Sequence, residues 1–415
     1  MTNRSANATI KGYFYQFDHT ILQVLDAVSA NSSVVIEGVE DVDIEDEANV
    51  VLVQCKYYEG TEYNHSVIKD AVIQMLRHYK KAALFEHQQL RYRLYGHYKN
   101  GHEKLKQPFN LDFLKEHFLT YTETDKDKKK TKQLEHKQLK LSDPQLAHFQ
   151  SLLEINIDAP SYEHQQSQIL TKLQMQIKDC SQEDAEAFYY PNAINVIQGL
   201  AVMTNIRDRK ITKAKFLINV NRKEIIFSRW LRQKFSDEHY AKSIKRRHFM
   251  YGSTKVPCAS RIFVIDTAGE FELSKVTSLL VRLGTRFSHV EHKSTPQNDR
   301  FCPYVLLRNL PPQDLIALKK NLLQQGVKFV DGYAFLGADC DLNQIAKPPT
   351  KENLIQLKFI LETGQIKPLC NELKGTTIQI FDFFQTSPLE ANQIPTSVAC
   401  NAINVPSLKL INEVF

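Results

Sequence analysis

The apolar positions in the N-terminal part of the chain change period repeatedly, and each change marks an element. From Ile10, the residues Phe14, Phe17, Ile21, Leu22, Leu25 and Val28 recur at three- and four-residue steps. That spacing predicts a helix with one buried face, ended by Asn31-Ser32-Ser33. The period then shortens to two. Strands are expected at 34–38, 39–45 and 50–58, the last two joined by Asp46, Glu47, Ala48 and Asn49 in a tight hairpin. A second helix is expected at 66–85, with Val67, Ala71, Val72, Met75, Leu76, Tyr79 and Leu84 as its stripe, followed by a strand at 90–98. Helix, strands, helix, strand is the order of a small sheet covered by helices.

Residues 122–145 are polar and lysine-rich and read as an exposed loop or a charged surface helix, with Lys128-Lys129-Lys130 solvated. Helices are expected across 145–235. The C-terminal third turns α/β again: RIFVID, ELSKVTSLLVRLGTRF, CPYVLLRNL, PPQDLIALKKNLLQQG and VKFVDG read strand, helix, strand, helix, strand. The basic stretch 242–257 is the expected boundary. The predicted class is α/β, with an N-terminal core over 1–120, a charged loop and helical extension over 121–240, and a second, smaller α/β domain over 241–415.

Composition narrows the classes. Of 415 residues, 42% are hydrophobic and 24% charged, which excludes wholesale disorder. No apolar run approaches the ~20 residues of a membrane span, and the N-terminus lacks a signal-peptide apolar core. The seven cysteines stand singly, with no CxxC pair, so neither a zinc module nor a disulfide framework is expected. A cytoplasmic chain is the resulting expectation. The net charge of +6 permits nucleic-acid binding without demanding it. Its distribution says more: carboxylates crowd 37–47, while lysines and arginines crowd 77–106, 126–140 and 207–247. An acidic knot in a basic half repels phosphate unless the acids hold a cation.

The chemistry sits in EGVEDVDIEDEANVVLVQCKYY, residues 37–58. Side chains alternate along a strand, so Leu52, Gln54 and Lys56 share one face and Val51, Val53 and Cys55 the other. If Glu47 and Ala48 form a two-residue loop, Asp43 lies opposite Leu52 and Asp41 opposite Gln54, with Cβ atoms about 5 Å apart. Asp41, Gln54 and Lys56 then converge, with Asp43 at the edge, and a one-residue slip would move the acids to the other face. A carboxylate and a carboxamide oxygen are hard ligands suited to Mg²⁺, and a lysine beside them can stabilise a phosphorane by charge. Glu37 and Glu40 are either further ligands or ordinary surface carboxylates. The bland alternative makes Asp41, Asp43 and Glu45 the solvated face of an edge strand. No nucleophile elbow or phosphate loop accompanies Ser32, Ser33, Gly12, Gly38 or Gly96.

Taken together, a helix, a hairpin carrying Asp41 and Gln54-Cys55-Lys56, then a helix and a strand resemble the PD-(D/E)xK nuclease superfamily. Its QxK variant occurs in Mrr-like restriction enzymes. More narrowly, GYFYQ, IEGVEDVDI and VQCKYY resemble the CD-NTase-associated effector nuclease of CBASS systems and the nuclease subunit of Lamassu anti-phage systems. The likeness covers roughly residues 1–100 and extends more weakly to 235. It implies a restriction-endonuclease-like fold and a Mg²⁺-dependent DNA endonuclease, with Mn²⁺ able to substitute. Asp41, Gln54 and Lys56 would be catalytic. Asp41 and Gln54 would bind metal, with Gln16, Glu37 and Asp43 as further candidates, although the superfamily has an acid where Gln16 stands.

Arg77, Lys80, Lys81, Arg91 and Arg93, interleaved with tyrosines, are the candidate DNA contacts, or else an ordinary solvated face. The implied partners are double-stranded DNA, an SMC-like ATPase and a further small subunit, with a homo-oligomer as the active form and no membrane. Residues 250–415 do not match the nucleotide-sensing SAVED domain, which favours the Lamassu type. The alternatives are a CBASS-type nuclease gated by a cyclic oligonucleotide, or a catalytically inactive DNA- or protein-binding subunit.

Overall fold

A computed structural model of the chain describes residues 7–29, 31–46, 49–82, 89–124, 130–249, 259–268, 271–290, 295–335, 337–373, 376–395 and 397–415. The chain is mixed α/β and divides into two compact units, Met1–Arg222 and Lys223–Phe415.

In the first unit, helix α1 (Asn7–Asp26) precedes strands β1 (Ser33–Ile36), β2 (Val42–Asp46) and β3 (Asn49–Tyr58). Helix α2 (His65–Ala82) and strand β4 (Gln89–Tyr98) follow. A separate hairpin pairs β5 (Thr120–Thr124) with β6 (Lys130–Leu134), and β7 (Leu153–Asn156) and β8 (Lys210–Thr212) complete the set. The main sheet runs β7-β4-β3-β2-β1-β8. Its β3, β4 and β7 are parallel, and its β8, β1, β2 and β3 are antiparallel.

Both faces of β3 are covered, which is why it reads as a nearly unbroken apolar run. Val53 and Cys55 join a core with Ile21, Leu22 and Leu25 of α1 and with Ile169 and Leu173 of the helix Tyr162–Gln176. Leu52 joins the opposite core with Val72, Met75 and Leu76 of α2 and with Phe149.

The expected hairpin register is found, with Val42 opposite Val53 and Asp43 opposite Leu52. The connecting Glu47 and Ala48 lie outside the described residues, as do Leu84 at the end of the predicted second helix and Lys128 and Lys129 of the lysine run. Three expectations need correction. Val28 does not extend the α1 stripe: the helix stops at Asp26, and Val28 is fully exposed. Strand β1 ends at Ile36 rather than residue 38, because Glu37 takes a left-handed φ of 52° and turns the chain. The region 145–235 is also not purely helical, since β7 and β8 interrupt it to cap the two edges of the sheet.

The second unit begins with the helices Lys223–Lys234 and Asp237–Phe249. Strands β9 (Ala259–Asp266), β10 (Tyr304–Arg308), β11 (Phe329–Val330), β12 (Leu357–Ile360), β13 (Thr377–Phe384) and β14 (Ala399–Asn404) follow. They form one all-parallel sheet, β11-β12-β10-β9-β13-β14. Alternate residues serve its two faces. Phe263, Ile265, Phe381 and Phe383 pack toward the helices Leu273–Phe287 and Leu408–Val414. Ile262, Val264 and Ile380 pack toward the helix Ile366–Glu372.

The units part at 222/223, upstream of the boundary expected at 240/241. The reason is burial. Tyr240, Ala241, Ile244 and Phe249 insert into the second core beside Phe263, Phe287 and Phe381, so the last helices of the predicted extension belong to the second unit. The basic residues Lys242, Lys245, Arg246 and Arg247 of that stretch lie on the helix Asp237–Phe249, and its remainder, 250–257, is outside the described residues.

Candidate active site

The turn between β1 and β2 carries the acids. Its backbone closes through Glu37 N–H donating to the Asp41 carbonyl at 3.0 Å. Asp43, the first acid inside β2, folds back to accept the N–H groups of Val39 at 2.7 Å and Glu40 at 3.1 Å. This requires Gly38: a Cβ there would lie 2.1 Å from Asp43 Oδ2. Asp43 is only 5% exposed, and burial pushes its carboxyl up to about 6 against the pull of those two N–H groups. Each of its oxygens thus accepts one N–H group of the turn, at the edge of the cluster where the sequence placed it.

Asp41 leaves that turn and reaches β3. Its Oδ2 accepts the Cys55 backbone N–H at 2.8 Å and a close hydrogen bond from Gln54 Nε2. Burial raises its pKa. The Cys55 N–H lowers it, the Glu37 carboxylate raises it, and Lys56 and Gln54 lower it further. On the other side of the turn, Gln16 of α1 donates its Nε2 to Glu37 Oε1 at 2.6 Å. Glu40 also sits in this field, pushed up to about 7 by burial first and then by Asp41 and Asp43, with Lys56 opposing. Asp41, Gln54, Lys56, Glu37 and Gln16 are thus brought to one end of the sheet, and Asp43 stands behind them as a brace.

Glu40, Asp41 and Asp43 all resist ionisation, and Lys56 opposes the rise at Glu40 and Asp41. A divalent cation would relieve such an arrangement. Among the described residues no three His, Cys, Asp or Glu side chains form a ready cage. The available oxygens are instead carboxylate plus carboxamide, a hard and sparse set that fits Mg²⁺, which keeps most of its waters. Asp41 and Gln54 would hold it, with Glu37 and Gln16 alongside. The Gln54 amide now donates to Asp41, and a half-turn of its terminal carboxamide presents Oε1 in the same place.

Arg209 is a residue the sequence did not flag. Its Nη1 donates to the Glu37 carbonyl at 2.8 Å and its Nε to the Met203 carbonyl at 2.7 Å, so it clamps the residue with positive φ. Nothing local signals this role, because Arg209 lies 172 residues from Glu37.

The five cations proposed from sequence do not form one surface. Arg77 is spent on Glu135, with Nε–Oε1 at 2.6 Å and Nη2–Oε2 at 3.0 Å, and that carboxylate is almost fully buried. Arg91 and Arg93 pair in register with Val51 and Val53 rather than with Gln54, so they project from the sheet face opposite Gln54 and Lys56. Arg93 is further engaged by Glu154 at 2.9 Å. Lys80 and Lys81 are exposed at the end of α2. On the same face as Arg93 runs an open groove of about 680 Å³, lined by His19, Tyr95, Glu154, His164 and Lys172, away from the acidic turn.

No protein-family model matches this chain, and no curated protein sequence matches it. No helix among the described residues is long and apolar enough to cross a membrane.

Proposed function

We propose that this chain is a Mg²⁺-dependent DNA endonuclease, the effector of a bacterial anti-phage system of the Lamassu type, restrained and released by partner subunits. The observation that carries the reading is the grouping of Asp41, Gln54 and Lys56, with Asp41 pinned by the Cys55 N–H. The QxK resemblance supports the class, and it alone supports the biological setting.

In this reading Asp41 and Gln54 supply oxygens to the metal, and Glu37 and Gln16 flank them. The bound cation would lower the pKa of a coordinated water and draw off charge from the scissile phosphate. Lys56 then faces the reacting phosphate and stabilises the negative charge that develops there. Asp43, Gly38 and Arg209 touch no substrate. They hold the turn so that Asp41 meets Gln54.

The test is cleavage of supercoiled and linear plasmid by the chain, alone and with its partner subunits, in Mg²⁺ and in EDTA, beside Lys56→Ala. Cleavage that needs Mg²⁺ and is lost in Lys56→Ala supports the proposal. DNA binding without cleavage in every condition would instead mark an inactive binding subunit. Cleavage that appears only after adding a cyclic oligonucleotide would move the chain to the CBASS type.

A further inference from the structure

The helix Lys223–Lys234 is half-anchored. Ser228 is buried and donates to the Asn404 side chain, and Leu231 packs against the second core. Ile225 is half-buried, but three other large apolar residues face outward: Ile226, Phe227 and Trp230 are 43%, 51% and 51% exposed, and Phe235, just past the helix, 54%. Three of these four are aromatic, and their rings are organised. Trp230 and Phe235 stand edge to face at 6.5 Å, and Phe235 stacks on His239 at 4.8 Å. Lys234 Nζ lies 4.8 Å from the Trp230 ring and 5.8 Å from the Phe235 ring. Arg229, on the same helix, is exposed. Over residues 223–249 eight Lys and Arg face three Asp and Glu, so the segment attracts a polyanion.

Exposed rings with cations set against them are the two components that hold an unpaired nucleic-acid strand: bases stack on the rings and phosphates pair with the cations. We propose that the helix Lys223–Lys234 and the turn to His239 form a ledge that binds single-stranded nucleic acid, with Trp230 and Phe235 as stacking platforms and Arg229 and Lys234 as phosphate contacts. A duplex keeps its base faces covered, so the ledge selects an unpaired strand over a duplex of equal charge. The ledge lies wholly in the second unit and does not depend on the chemistry at Asp41.

Trp230 is the only tryptophan in the chain, so its emission reports directly on the ledge. The full-length protein is titrated in EDTA with oligodeoxythymidine, with a duplex of the same length, and with anionic phospholipid vesicles. The expected result is saturable quenching by the single strand, and much weaker quenching by the duplex. Phe235→Ala should weaken binding about tenfold, the lower part of the range for removing one stacking partner. Arg229→Glu with Lys234→Glu should flatten the log–log salt dependence by about 0.7 for each phosphate no longer neutralised. Trp230→Ala, followed by anisotropy of a labelled oligonucleotide, should show a weakening like that of Phe235→Ala, with unchanged thermal unfolding in all variants. Absence of quenching by the single strand, equal response to the duplex, unchanged affinity in the variants, or a response to vesicles alone would each overturn the proposal.

Discussion

Gly38→Ala tests the architecture of the acidic turn most directly. The new Cβ would sit 2.1 Å from Asp43 Oδ2, 3.0 Å from its Cγ and 3.3 Å from Val35 Cγ1, where ordinary contact begins at 3.4 Å. The carboxylate would have to retreat by more than an ångström. It has little room to do so, being 5% exposed and fixed by the N–H groups of Val39 and Glu40. Losing one of these charge-assisted bonds costs about 1.5–3 kcal/mol, and the crowding of the site adds about 1 kcal/mol or more. We expect a loss of about 2–4 kcal/mol in the first unit.

The control is Gly12→Ala on α1, where a Cβ meets nothing within 4 Å and the helix should gain up to about 1 kcal/mol. The assay is amide hydrogen exchange of Val39 and Glu40, read beside urea unfolding of the first unit. Both amides should lose protection in Gly38→Ala and keep it in Gly12→Ala. Wild-type protection of both amides in Gly38→Ala would refute the view that Asp43 braces the turn.

Lys56→Ala should cut DNA cleavage by about 10²–10³, the scale for one preorganised charge, with unfolding unchanged; wild-type rates would remove Lys56 from the mechanism. Arg77→Ala should destabilise the first unit by about 1–3 kcal/mol by stranding the buried Glu135, and leave the salt dependence of DNA binding unaltered. A flattened salt slope in Arg77→Ala would restore it as a DNA contact. Asp382, fully buried, has its carboxyl pushed up to about 6, chiefly by burial, with Arg308 and the Leu389 N–H opposing and Asp266 adding to the rise. Its folded pKa is above the ordinary value of 3.8, so its stabilising contribution is full below about pH 4 and is lost as pH rises through about 6. In Asp382→Asn that stretch of the second unit's pH–stability curve should flatten, and urea midpoints measured from pH 4 to 8 check it.

What the sequence determined by itself was local. A period of two through β2 and β3, with a two-residue connection, admits one register that buries Val42 and Val53. That register carries Asp43 to Leu52 and brings Asp41 to the end of the ladder beside Gln54. The same logic located α1, α2 and β4, because each buries a regular stripe against its neighbours. Tertiary structure decided the rest. Whether a carboxylate serves a ligand or a turn depends on which N–H groups reach it, and Asp43 was committed by a left-handed residue and a glycine that no alternation reveals.

Whether an arginine is available depends on whether a buried acid claims it. Arg77 meets Glu135 and Arg209 meets the Glu37 carbonyl only once distant segments have packed. The boundary at 222/223, the strands β12, β13 and β14 of the second unit and the outward-facing Trp230 were hidden for the same reason. Short apolar runs such as Leu357–Ile360 carry too little periodicity to declare themselves. A sequence states each residue's charge and apolar area, but its neighbours are chosen by the packing of segments far apart in the chain.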